Sequence, residues 1–132
     1  MDNIFIGNSH KSRYLNLVAT AGIHECDVER HSLFYIISGN ADLYLKKGTI
    51  YDFCENIILS DCLMPGKVDF CSSSKALIRL AYNLYNGYSD GYTNPLMLLY
   101  GLDSTNLFLA CQAILIRLQG KHSCLALACH GG

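Results

Sequence analysis

The sequence predicts an all-α fold, a compact bundle of about five to six helices with one irregular loop over 54–71. Two observations predict it. A capping residue, an apolar face at three- and four-residue spacing, and a glycine stop recur together at least four times along the chain. Hydrophobic residues make up 51% of the 132 and charged residues 16%, enough apolar surface for one core and too little charge for a disordered polymer. A single domain over 1–120 is the natural reading at this length, with 121–132 a tail outside the fold.

Asn8 or Ser9 can cap a first helix through Ala21, with Tyr14, Leu15, Val18 and Ala21 inward and Gly22 at its end. Asp27 caps a second helix over 28–38, loaded with Leu33, Phe34, Ile36 and Ile37 ahead of a stop at Gly39. Asn40 starts a third over 41–47 with Leu43, Tyr44 and Leu45 inside. Lys46 and Lys47 lie at its negative end, Gly48 stops it, and 49–53 adds a further turn. Within 54–71, the apolar segments 57–59 and 68–70 flank Leu63-Met64-Pro65-Gly66-Lys67 as a small hairpin or a packed loop, and the loop is favoured.

The chain is organised around the next stretch, 72–88. Ser72 or Ser73 caps a helix whose Leu77, Leu80, Ala81 and Leu84 form one face, while Lys75, Arg79, Asn83 and Asn86 fall on another; Gly87 ends it. Asn94-Pro95 opens a short helix over 96–100, closed by Gly101. Asp103 caps the last long helix, 104–119, which Gly120 ends. That helix is apolar nearly all round, so other helices or a second copy of the chain must surround it. Leu33, Phe34, Ile37, Leu77, Leu80, Leu84, Phe108, Cys111 and Ile114 are expected to share one core.

Composition narrows the function classes. Ten Lys and Arg balance eleven Asp and Glu, and the basic residues are scattered, so the chain lacks the electrostatic footprint of a nucleic-acid binder. No apolar run reaches the roughly 18 residues of a membrane span. The start, Met-Asp-Asn-Ile-Phe-Ile-Gly, lacks a signal-peptide pattern, so a cytoplasmic setting is expected. Seven cysteines, an odd number without a secretion signal, read as buried reduced thiols, Cys111 among them. Pairing among Cys54, Cys62 and Cys71, which share one loop, stays open.

Several constellations invite chemistry, and each has a plainer reading. Ser72-Ser-Ser-Lys75 fits Ser-x-x-Lys, a serine activated by a lysine one turn away, but the companion motifs are missing and a serine-rich helix start explains it. Arg117 and His122 match a phosphate-holding Arg-x-x-x-x-His pattern, yet Gly120 interrupts the helix between them. Arg30 and His31 sit where cations are unfavourable, and an ion pair from Arg30 to Asp69 or Asp103 would account for the arginine. His24-x-Cys26, His122-x-Cys124 and Cys129-His130 supply metal-ligand types without metal-ligand spacing, so neither metal nor cofactor is expected.

The richest stretch is 82–94, which holds four of the nine tyrosines and three asparagines. Tyr offers rigid contact area with a polar tip, and Asn, Ser and Gly offer adaptable hydrogen bonding, the chemistry of recognition surfaces. With the helix anchored by its leucines, Arg79, Tyr82, Asn83, Asn86, Tyr88 and Tyr92 are the candidate binding residues. Inward packing of the tyrosines with their hydroxyls on backbone groups is the competing reading.

Three segments carry a family likeness. They are Asp27-Val-Glu-Arg-His-Ser-Leu-Phe-Tyr-Ile-Ile-Ser-Gly-Asn-Ala-Asp-Leu-Tyr, Asp69-Phe-Cys-Ser-Ser-Ser-Lys-Ala-Leu-Ile-Arg-Leu-Ala-Tyr-Asn-Leu-Tyr-Asn-Gly, and Leu102-Asp103 with Ala113-Ile-Leu-Ile-Arg117. On these the chain resembles a family of small uncharacterised bacterial proteins, a domain of unknown function found mainly in Firmicutes. The likeness spans residues 5–119 and leaves the tail outside. It implies a domain-sized unit and supplies no activity. Elimination then favours a protein-binding, regulatory or inhibitory module of the mobile-element or host-defence kind. A small hydrolytic or nucleolytic enzyme is the alternative, and a structural subunit the third reading.

Overall fold

The structure, a computed structural model, describes residues 4–120. In chain order its helices are α1 (Asn8–Ala21), α2 (Val28–Gly39), α3 (Ala41–Leu45), α4 (Lys47–Ile50), α5 (Ser72–Asn86), α6 (Pro95–Leu99) and α7 (Ser104–Gln119). Between α4 and α5 lie a two-stranded antiparallel hairpin, β1 (Tyr51–Asp52) with β2 (Ile57–Ile58), and a 3-10 turn, Ser60–Leu63. The fold is all-α as expected. Among the described residues there are seven helices, because the expected third one breaks at Lys46 (φ −103, ψ 23), so that Gly48 lies inside α4 rather than at a stop.

α2, not α5, is the centre. Every residue from His31 to Ser38 is buried, and α1, α5 and α7 all pack on it. A helix enclosed on every side must satisfy its polar groups within the protein. Asp27 caps it by accepting from the Arg30 N–H at 3.1 Å. Ser32 Oγ donates to the Glu29 carbonyl at 2.9 Å and Ser38 Oγ to the Tyr35 carbonyl at 3.1 Å. His31 is held between the Tyr14 hydroxyl at 2.5 Å from Nδ1 and the His24 carbonyl at 2.9 Å from Nε2.

His10 of α1 is held in the same way. Its Nδ1 accepts from the Ile6 N–H at 3.1 Å, which leaves Nε2 to donate to the Tyr35 carbonyl at 3.0 Å. Both ring nitrogens are thus used by the neutral imidazole. Burial lowers its pKa from 6.5 to about 4, against the Tyr35 carbonyl, which favours the charged form; Arg13 nearby adds to the lowering. Burial lowers His31 too, opposed by the His24 carbonyl, Asp27 and Glu25.

The other caps divide. Asn40, Asn94 and Asp103 cap as expected, accepting from Asp42 and Leu43, Met97, and Asn106 respectively. Gly22 and Gly87 end α1 and α5 in the left-handed region, at φ 63 and 82. The expected caps at Asn8 or Ser9 and at Ser72 or Ser73 are not formed. Gly7 and Cys71 hold those positions without a side-chain cap bond, and the serines and Asn8 lie inside the helices. Arg30 pairs with Asp27 at 3.5 Å on its own helix rather than with Asp69 or Asp103, because Asp27 is one turn away.

The hairpin lies at 51–58, earlier than the one weighed around 63–67, with Tyr51 opposite Ile58 and Asp52 opposite Ile57. Asp52 Oδ1 accepts from the Cys54 and Glu55 N–H groups at 2.9 and 3.0 Å, and Asn56 adopts φ 59, which together close the turn. The core also differs in part. Leu33, Phe34, Ile37, Leu77 and Leu80 are buried, while Leu84 and Ile114 are half-buried. Phe108 and Cys111 are exposed, because α7 meets α2 through Leu109, Ala110, Ala113 and Ile116. On α1, Leu17 rather than Leu15 faces inward, and Leu45 lies 78% exposed where α3 ends. Of the five described cysteines only Cys62 is buried, and none is paired with another among the described residues. Residues 121–132, with Cys124, Cys129, His122 and His130, lie outside the described residues.

Gly39 does more than end a helix. A Cβ there would sit 2.2 Å from Leu109 Cδ1 and 3.0 Å from His10 Nε2, so α1, α2 and α7 meet at a point that excludes a methyl group. Gly39 has no positive φ, so the backbone accepts alanine and only the packing resists it. Gly39→Ala is expected to destabilise by about 1–3 kcal/mol. Urea melts of the two proteins check this, and equal midpoints would show that Leu109 can move aside.

His10 and His31 give the second expectation. A depressed histidine pKa means that the unfolded chain binds the proton first, so this stability is fully present above pH 6.5 and is lost as pH falls, for His10 toward about 4. For His10 the slope between those values is at most about 1.4 kcal/mol per pH unit, and His31 adds in the same direction. Denaturation measured between pH 7 and 4 should follow it. An NMR titration placing His10 near 6.5 would contradict it.

Candidate recognition site

Asp90, in the turn after α5, organises the stretch that the sequence singles out. Its Oδ2 accepts from Arg79 Nε at 2.9 Å and from the Tyr88 hydroxyl at 3.0 Å. Its Oδ1 accepts from the Tyr92 N–H and the Thr93 hydroxyl, each at 2.9 Å. Burial alone would raise this carboxyl, but the bonds from Arg79, the Tyr92 N–H, Thr93 and Tyr88 outweigh it and hold the pKa down at about 2. The turn is therefore fixed rather than loose. An Asp followed three residues later by Thr, after a helix-ending glycine, is the local signal that could have revealed Asp90 from sequence.

The six candidate residues fall into three groups. Tyr82 points inward, contrary to expectation. It is fully buried, its hydroxyl donates to the Ile50 carbonyl at 2.6 Å, and that hydroxyl lies 3.1 Å from the Leu59 carbonyl and 3.3 Å from Cys62 Sγ. Burial pushes its phenol well above the ordinary tyrosine range, as does Cys62. It ties α5 to the end of α4 and to the 3-10 turn. Asn83, Asn86 and Tyr88 form the second group, the local frame. Asn83 donates to the Tyr88 carbonyl and Asn86 accepts from the Tyr88 N–H, both at 3.0 Å, while the Tyr88 ring meets Tyr82 edge-on at 5.5 Å. Arg79 and Tyr92 form the third. The guanidinium lies 4.8 Å from the centre of the Tyr92 ring, which is 56% exposed.

Arg79 and Tyr92 open onto a cleft of about 460 Å³. Ser72, Lys75, Ala76 and Arg79, one stripe of α5, form its floor. Leu63 and Pro65 make one wall, and Tyr92 with Met97 of α6 the other. Ser72 and Lys75 share this cleft, but no hydrogen bond joins their side chains among the described residues. At its helix-start end, the exposed Cys71 thiol lies 3.3 Å from Ser73 Oγ and 3.4 Å from Ser74 Oγ, contacts that lower its pKa to about 7. The sequence reading missed the walls, because Leu63, Pro65 and Met97 are distant in the chain.

A second cleft, also about 460 Å³, lies between the start of α2 and the end of α5, lined by Asp27, Glu29, Arg30, Asn56, Tyr85 and Asn86 among others. Tyr85 donates to the Asn56 carbonyl at 3.2 Å, and its hydroxyl lies 3.4 Å from that of Tyr51. Arg117 Nε donates to the Leu84 carbonyl at 2.7 Å, and its guanidinium pairs with Glu29 at 3.8 Å, so it secures the end of α5. No group of three or more potential metal ligands occurs among the described residues.

A family model described as "Family of unknown function (DUF6075)" matches residues 1–124. No curated protein and no solved structure matches the chain.

Replacing Asp90 with alanine removes the acceptor for four bonds and leaves Arg79 half-buried without its carboxylate. The expected cost is about 2 kcal/mol, since the pair is partly solvated. The loss should shrink once Arg79 is also removed. With the Asp90 pKa depressed from 3.8 to about 2, its contribution is fully present above pH 3.8 and fades as pH falls toward 2. Additive losses from the two single variants, measured in denaturant, would show that the network is not a unit.

Proposed function

The chain belongs to this family of unknown function, and we propose that it works as a protein-binding module through the face carrying Arg79 and Tyr92. One observation carries this reading. The Asp90 network fixes a turn that holds an exposed tyrosine against an arginine at the mouth of a cleft. A preordered aromatic and a planar donor lose little freedom on binding, which is what a binding hot spot requires. Asn83, Asn86 and Tyr88 serve as the frame, and Tyr82 anchors that frame to the core. A regulatory or inhibitory role follows as the kind of work such a module does.

No helix among the described residues is long and apolar enough to cross a membrane. A cytoplasmic setting is part of the proposal, and the unpaired state of the five described cysteines supports it. A second reading has its own observation. Phe108, Cys111, Leu115 and Leu118 recur at alternating three- and four-residue spacing on the exposed side of α7, the seam that would take a second copy of the chain. That seam lies on another helix, so tests at Tyr92 address the first reading alone.

Tyr92→Ala is expected to fold like the parent and to lose the partner. Affinity capture from a lysate of the native host, with the captured protein then purified and rebound, checks this. Identical binding to parent and Tyr92→Ala, with both folded, would remove the proposal.

A further inference from the structure

Lys75 lacks the partner charge that several other cations of the chain have. Arg79 is bonded to Asp90, Lys46 is paired with Asp42 at 3.0 Å, Arg30 with Asp27 and Arg117 with Glu29. The Lys75 ammonium has neither an ion pair nor a hydrogen bond among the described residues, although the side chain is half-buried on the cleft floor. Arg79, one turn further along α5, engages Asp90 through Nε and lines the same cleft. Two like charges at i and i+4 on a helix repel one another. Asp90 offsets one of them, and among the described residues no acidic side chain lines the cleft between its walls of Leu63, Pro65 and Met97.

We propose that this cleft receives an acidic segment of the protein partner, with one carboxylate side chain between Lys75 and Arg79 and an adjoining apolar side chain against Leu63, Pro65 and Met97. The inference rests on the protein-binding reading above and names the chemistry of its partner. Charge complementarity sets the acid. The apolar walls set its neighbour. The floor stripe from Ser72 to Arg79 is about 10 Å long at 1.5 Å per residue, the span of roughly three residues of extended chain. Arg79 serves best as the planar donor because its Nε is already fixed by Asp90, so the side chain is ordered before the partner arrives.

The probe is a random dodecapeptide library displayed on phage and selected on the folded full-length chain. Enriched peptides are then synthesised with a fluorescent label and titrated against the parent, Lys75→Ala and Tyr92→Ala. Lys75 makes no side-chain bond, so Lys75→Ala should fold as the parent does, which a melting curve verifies. Enriched sequences are expected to carry Asp or Glu beside an apolar residue. Lys75→Ala should weaken their binding about tenfold. Changing the peptide acid to its amide should weaken binding to the parent by a similar factor and cost little more in Lys75→Ala, because the two groups act on each other. Selection of peptides without an acid, no enrichment at all, or an equal amide penalty in parent and Lys75→Ala would each overturn the inference. Acid-free peptides that still depend on Tyr92 would overturn it while leaving the protein-binding reading intact.

Discussion

A helix buried along its whole middle sets the terms for this fold. His31 to Ser38 of α2 have no solvent to bond with, so each polar group among them must find a protein partner or carry a desolvation cost of a kcal/mol or more. The serines turn back to carbonyls three residues earlier, and His31 bridges Tyr14 and His24. Close approach is the other condition, met by Gly39 where α1 and α7 converge. The elements around α2 can then be irregular, because one helix already supplies a contact surface for three others.

α5 translates that centre into a surface. Leu77, Ile78 and Ala81 are buried, and Tyr82 sends its hydroxyl to the carbonyls of Ile50, at the end of α4, and Leu59, just ahead of the 3-10 turn. The wall formed by Leu63 and Pro65 is thereby tied to the same helix that carries the cleft floor. On the other side Asp90 ties the turn back to Arg79. Both walls are fixed relative to the floor by bonds made along one helix, so the geometry of the cleft is a consequence of packing and not of a flexible loop.

Most helices were legible because their signals are local. Asp27, Asn40, Asn94 and Asp103 cap through bonds to residues two or three positions on, which spacing alone can reveal. Where two caps were available, as with Cys71 against Ser72 and Ser73, propensity pointed to the serines and the chain used the residue before them. The inward face of α7 was not legible, because nearly every position is apolar and only the packing on α2 separates Leu109 and Ala113 from Phe108 and Cys111. Tyr82 failed for a related reason. Its neighbours suggested a polar face, but the Ile50 and Leu59 carbonyls that accept its hydroxyl lie more than twenty residues away in the chain. Of the candidate site, the stretch was legible and the cleft was not, since no periodicity links Leu63, Pro65 and Met97 to Lys75.

The distribution of satisfied and open polar groups differs between the turn after α5 and the cleft beside it. Gln112 Oε1 is the one buried side-chain nitrogen or oxygen without a partner among the described residues, so the interior places almost no demand on anything outside the chain. Asn83, Asn86, Tyr88 and Asp90 look like recognition chemistry in sequence, yet their bonds close on one another and stabilise a turn. Bonding capacity that remains open has a different meaning. Lys75 and Arg79 line a cleft whose walls include Leu63, Pro65 and Met97. Folding does not require Lys75 to stand without a partner charge beside the paired Arg79. Their placement together, with Tyr92 held beside them, concentrates the open capacity of this region in one cleft.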